Sequence, residues 1–79
     1  MANEVEVTFD LMKHIGVIGQ PARGDWTKEV NLVSWNGGDP KIDIRDWDST
    51  HERMSRGITL TEDQAKRLFE ALEEYFYGG

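Results

Sequence analysis

Apolar side chains at Val5, Val7, Phe9 and Leu11 alternate with polar ones at Glu4, Glu6, Thr8 and Asp10, and Ile15 and Val17 keep the same parity beyond Lys13 and His14. Period two marks a strand with one covered face. It predicts a first strand over about residues 4–18, with Gly16 as a place to bend and the breaker-rich run Gly19-Gln-Pro-Ala-Arg-Gly24 as its end. A second strand is predicted over 26–35. Its parity is mixed, with Val30 and Leu32 on one face and Val33 and Trp35 on the other, so it is either covered on both faces or bulged. Asn36-Gly37-Gly38-Asp39-Pro40 supplies residues that tolerate positive φ and predicts a hairpin into a third strand over 41–47. There Ile42 and Ile44 form the expected core face, while Lys41, Asp43, Arg45 and Trp47 point the other way. The polar stretch 48–55 reads as a loop and 56–60 as a short fourth strand.

The period then changes. Thr61 followed by Gln64 forms a capping box, and Glu62 and Asp63 sit where the helix dipole favours acids. Ala65, Leu68, Phe69, Leu72 and Phe76 fall on one stripe of a helix over 62–77, stopped by Gly78-Gly79. The pattern is that of an α+β fold, four antiparallel strands followed by one C-terminal helix, and it predicts one domain over residues 1–79. One helix cannot cover both faces of such a sheet, so the helix or the open face is an expected dimer or ligand surface.

Charge and composition narrow the function. The formal net charge of −6 is uneven: residues 1–12 and 62–79 carry −3 each, while the seven bases of 13–61 balance seven acids. That neutral middle also holds all three Trp residues. With no cysteine, disulfides and thiolate metal sites are excluded. Apolar runs of two or three residues fall far short of a membrane span, and no signal-peptide core is seen, so a cytoplasmic protein is expected. Asp43, Asp46, Asp48, His51 and Glu52 crowd a short stretch, yet the spacing fails both the calcium-loop and the zinc-helix patterns. Neither His14 nor His51 stands near a nucleophile, and Ser34, Ser49 and Ser55 lack any elbow motif. Neither an enzyme nor a cofactor or metal site is expected.

What remains is an interleaving of aromatics and bases: Trp26, Lys28, Trp35, Lys41, Arg45, Trp47, Arg53 and Arg56. Unstacked bases offer π-faces to aromatic rings while Lys and Arg neutralise phosphates, so this combination suits single-stranded nucleic acid. The competing reading is that the Trp residues are core and the bases ordinary surface charge. Trp47 and Arg45, on the face away from Ile42 and Ile44, resist that reading best.

The run Lys41-Ile-Asp-Ile-Arg-Asp-Trp-Asp48, then Met54-Ser-Arg-Gly-Ile-Thr-Leu-Thr61 and a capped helix, resembles the C-terminal domain of the positive-cofactor-four family of transcriptional coactivators. The shape W-x-K-E-x-N-L-V-x-W-N-G from Trp26 to Gly37 is similar to the family's small bacterial YdbC-like branch. The resemblance spans about residues 26–72. It implies a curved four-stranded sheet assembled as a homodimer that holds single-stranded DNA without strong sequence preference. The family's stacking aromatic falls on Trp35, its strand-three arginine on Arg45, the following aromatic on Trp47, and its basic pair before Gly-Ile on Ser55 and Arg56, so one charge of that pair is missing. Lys28 matches a basic position of the bacterial branch. The helix stripe is expected to cover the sheet's concave face, with Leu68, Leu72, Tyr75 and Phe76 meeting the partner's helix.

The function expected from the sequence is therefore a sequence-tolerant single-stranded DNA-binding protein. Such a protein would be a transcription regulator or cofactor, or an accessory of replication or repair, in the cytoplasm, where association with the nucleoid is one option. Trp35 and Trp47 would stack on bases, and Lys28, Lys41, Arg45, Arg53 and Arg56 would contact phosphates. RNA is the competing polymer, and transcription or replication proteins are the further partners. The alternative is a protein–protein interaction module on the same scaffold without nucleic-acid binding.

Overall fold

The computed structural model describes residues 7–19 and 24–78. Four strands, β1 (Phe9–Gly19), β2 (Thr27–Trp35), β3 (Lys41–Trp47) and β4 (Ile58–Leu60), form one antiparallel sheet in chain order, and α1 (Glu62–Tyr77) follows. The start expected for the first strand at Glu4 to Glu6, and the breakers at 20–23, lie outside the described residues.

The β2–β3 turn forms because Asn36 and Gly37 both accept left-handed backbone, at φ 51° and 75°. Asn36 also ties in the chain ahead of β1: its Oδ1 accepts the Thr8 N–H at 2.9 Å, and its own N–H donates to the Thr8 carbonyl at 2.8 Å. Strands β2 and β3 pair without a slip from Thr27↔Trp47 to Val33↔Lys41. The mixed parity of β2 therefore reflects no bulge against β3: Val33 is buried on one face, while Val30 and Leu32 on the other are only half-buried. The bulges fall in β1, where the register shifts between Leu11 and Lys13, between His14 and Gly16, and between Val17 and Gly19. Each shift flips the parity of the residues after it, so the steady alternation expected from Val5 to Val17 does not persist in space.

One face of the sheet carries Glu29, Asn31, Val33 and Trp35 of β2 beside Asp43, Arg45 and Trp47 of β3 and Thr59 of β4. The opposite face carries Val30 and Leu32, Ile42 and Ile44, Ile58 and Leu60. The expectation that Ile42 and Ile44 mark the core is corrected here. Trp47, Val33, Asn31, Asp43 and Glu29 are buried, whereas Ile42 and Ile44 are only half-buried and Ile58 is exposed. The reason is the segment between β3 and β4, which folds back over the first face. Met54 and Ser55 pair beside β3, by a β-bridge to Trp47 and a 3.0 Å hydrogen bond from the Ser55 N–H to the Asp46 carbonyl. His51 lies over the face, its ring 5.7 Å from the Trp47 ring and its Nε2 3.0 Å from Glu29 Oε1.

The helix is capped as the sequence requires, with Thr61 Oγ1 accepting the Gln64 N–H at 3.1 Å and Gln64 Oε1 accepting the Thr61 N–H at 2.9 Å. It touches only β3 and β4, and none of its residues is buried, so the expected cover for the sheet is not supplied within one chain. The radius of gyration of 14.6 Å exceeds the roughly 11.6 Å of a compact chain of this length. No helix among the described residues is long and apolar enough to cross a membrane.

The lead-in to β4 runs so close to β3 that a Cβ at residue 57 would overlap Arg45 Cβ and the Ile44 carbonyl oxygen. Gly57 is thus required by contact rather than by its φ. Arg56 and Gly57 precede β4, which pairs only from Ile58, two residues later than the start expected from the sequence. Gly57→Ala is expected to lower stability by about 1–3 kcal/mol, read as a lower urea midpoint at unchanged m value.

Candidate nucleic-acid interface

Trp35 closes β2 immediately before the turn and pairs with Phe9 of β1. Their rings lie 5.9 Å apart at 50°, and Phe9 in turn sits 5.2 Å from Trp47. Trp35 is half-buried, and its Nε1 is buried. The Arg45 guanidinium covers one side, with Cζ 4.7 Å from the Trp35 ring centroid, within the range of a cation–π contact.

Arg45 is anchored by residues that strand pairing places around it. Asp43 lies two positions back on the same face and Thr59 is the β4 partner of Asp43. Arg45 Nε donates to Asp43 Oδ2 at 2.6 Å and Nη2 donates to Asp43 Oδ1 at 2.8 Å, a bidentate pair with a carboxylate that is 0% exposed. Nη2 also reaches Thr59 Oγ1 at 3.4 Å, and that hydroxyl donates onward to Asp43 Oδ1 at 3.0 Å. Nη1 donates to the Ser55 carbonyl at 3.3 Å and meets Met54 Sδ at 3.5 Å.

Trp47 does not present a stacking face. It is 0% exposed, enclosed by Phe9, by the His51 ring at 5.7 Å and by the Met54 bridge. The expectation that it stacks on bases is corrected: it is core, because the segment after β3 closes over it. Lys28 lies on the opposite face from Trp35, paired with Asp46 at 2.9 Å. Lys41, Arg53 and Arg56 are exposed; Lys41 shares the strand parity of Asp43 and Arg45, and the other two lie on the segment that covers Trp47. The structure thus brings Trp35 and Arg45 together and leaves Lys28 apart.

Sequence reasoning passed over a second polar cluster. Glu29 is 4% exposed, and both of its oxygens face His51 Nε2, at 3.0 and 3.1 Å. Thr27 Oγ1 donates to it at 2.8 Å and Asn31 Nδ2 at 3.2 Å, while His14 Nδ1 lies 2.8 Å from Asn31 Oδ1. The shared odd parity of Thr27, Glu29 and Asn31 was a visible signal; the contact with His51 comes from a distant loop and was not. That loop is set by Asp48, whose Oδ1 accepts the N–H groups of Glu52 and Arg53 at 3.0 Å each, and by His51 at φ 60°. The backbone hydrogen bond from Arg53 holds the Asp48 carboxyl below its ordinary value. Among the described residues no three His, Asp or Glu side chains are placed to hold a metal ion.

A meander of four strands closed by a capped helix, with an aromatic and guanidinium platform at the β2 hairpin end, defines the class of domain. The family model for the transcriptional coactivator p15 (PC4) matches residues 23–71, and the chain belongs to that family. It is also 31% identical over 64 residues to an uncharacterized protein of Treponema pallidum (strain Nichols), a match that covers 81% of this chain and 74% of the relative.

Burial alone would raise the Glu29 pKa, but hydrogen bonds from His51, Thr27 and Asn31 outweigh it and hold the carboxyl below its ordinary 4.5. A carboxyl depressed in the folded state contributes stability that is present above the unfolded value and is lost as pH falls through the folded one. Wild-type stability is therefore expected to fall as pH drops below about 4.5, and Glu29→Gln to fall less steeply over the same interval, in urea melts at stepped pH.

Proposed function

We propose that this protein is a homodimeric, sequence-tolerant single-stranded DNA-binding protein acting in transcription, replication or repair. The observation that carries the reading is Trp35. It is half-buried, its ring covered on one side by a guanidinium and flanked by Phe9 on a sheet of the transcriptional coactivator p15 (PC4) family. Bases stack on that ring, and the exposed Lys41, Arg53 and Arg56 contact phosphates. Lys28 contributes less, being on the other face and held by Asp46. Trp47 supports the platform from inside.

A second copy of the chain is the proposed cover for the apolar face. Phe69 is 64% exposed, Leu72 46% and Phe76 65% on one helix stripe, and Ile58 is 52% exposed on the sheet. A stripe of this size facing water is uncommon in a monomer of so few residues. The net charge of −6, and Ser55 where the family's basic pair has a charge, favour the alternative of a protein–protein module without nucleic-acid binding.

Titrating the Trp emission with oligo-dT and with duplex DNA at two salt concentrations separates the two. The proposal predicts quenching by the single strand that weakens with salt, little response to duplex, and an affinity about 5- to 100-fold lower for Trp35→Ala. An intact dimer showing no quenching at low salt would overturn the proposal and favour the alternative. Leu72→Glu is expected to halve the mass seen by sedimentation; an unchanged mass would remove the helix stripe from the dimer contact.

A further inference from the structure

We infer that Arg45 is a positioning residue for Trp35 and not a phosphate ligand. The inference deepens the single-strand reading and rests on it. A guanidinium has five N–H donors, and those of Arg45 are spread over Asp43, Thr59, the Ser55 carbonyl and Met54 Sδ, leaving none directed to solvent. Its side chain is 13% exposed, and its charge is matched by a carboxylate that is 0% exposed and bonded otherwise to Thr59. A phosphate could reach Nε or Nη2 only by displacing Asp43, which would strand a buried, unpaired carboxylate, and Nη1 only by displacing the Ser55 carbonyl and Met54 Sδ. The residue that pattern and resemblance single out as a phosphate contact is therefore already neutralised inside the protein.

The role left to Arg45 is set by where the clamp holds its guanidinium. With Cζ fixed 4.7 Å from the Trp35 centroid, one ring face is occupied and the indole is held before any ligand arrives. With that face occupied, a base can stack on Trp35 only from the side away from Arg45. Ordering the ring in advance removes an immobilisation cost that binding would otherwise carry. Asp43 acts at one remove, by fixing the fork that fixes the ring. Gly57 belongs to the same device, since any side chain there would collide with Arg45.

The test compares wild type with Arg45→Gln and Arg45→Lys in the full chain, titrated with oligo-dT over a range of salt. The second variant keeps the charge and guards against a fold lost with the first. Both are expected to bind about 2- to 10-fold more weakly, with the slope of log affinity against log salt unchanged. Without DNA, acrylamide should quench Trp35 more readily in both, measured as the difference from a Trp35→Phe counterpart. A slope that falls by about 0.7 in Arg45→Gln and recovers in Arg45→Lys would make Arg45 a phosphate contact and overturn the inference. Absence of any oligo-dT quenching in the wild type would overturn the binding reading, and Arg45's part in it. The acrylamide result still decides the clamp by itself, equal accessibility in all forms overturning it.

Discussion

The Asp43–Arg45 pair is the interaction on which the polar face of this sheet depends. A carboxylate with no exposure is tolerated only when it is matched in charge and hydrogen-bonded, and Asp43 is matched by the fork of Arg45 and bonded by Thr59. Because the pair is separated by two residues on one strand, pleating alone places both groups on one face. Through Ser55 and Met54 the same guanidinium gathers in the segment after β3, which covers Trp47. Through its ring contact it meets Trp35. One ion pair thus joins β3, β4, the covering segment and the hairpin end of β2.

The consequence is an unusual allocation of faces. Charged and amide side chains at Glu29, Asn31 and Asp43 are interior, each with hydrogen-bond partners, while Ile58, Leu68 and Leu72 keep substantial exposure. A folded chain of this length has little apolar area to bury, and here much of it stays in reach of a second surface. Fixing the polar face through a network frees the apolar face for association. The exposed bases Lys41, Arg53 and Arg56 are then available to a polyanion despite the net charge of −6.

Much of this was legible in the residues. The Asn36-Gly37 turn and the helix over 62–77 with its Thr61 cap follow from local chemistry acting at short range, whereas the residues left a bulge in β2 open and only its pairing shows an unslipped register with β3. Parity also sorted Asp43, Arg45 and Trp47 onto one face and Ile42 and Ile44 onto the other. Which face would be closed was not legible, because alternation reports two faces without naming the one that a loop will cover. The three slips in β1 were hidden for a related reason. Apolar residues at Met12, Ile15 and Ile18 satisfy either parity, and only pairing with β2 reveals the extra residues. The place of Trp47 and Arg45 follows from that choice of face: the indole read as a stacking ring is core, and Arg45 is paired with a buried carboxylate.

The state of the Arg45 side chain in solution tests the central claim most directly. Nitrogen-15 spectra of the full chain would report how fast the Arg45 Nε hydrogen exchanges with water, before and after saturation with oligo-dT. The account predicts slow exchange in both states, as a donor held by a buried carboxylate requires, while the Trp35 indole resonance moves on binding. Rapid exchange in the free protein, or an Nε hydrogen released from Asp43 when the strand binds, would contradict it.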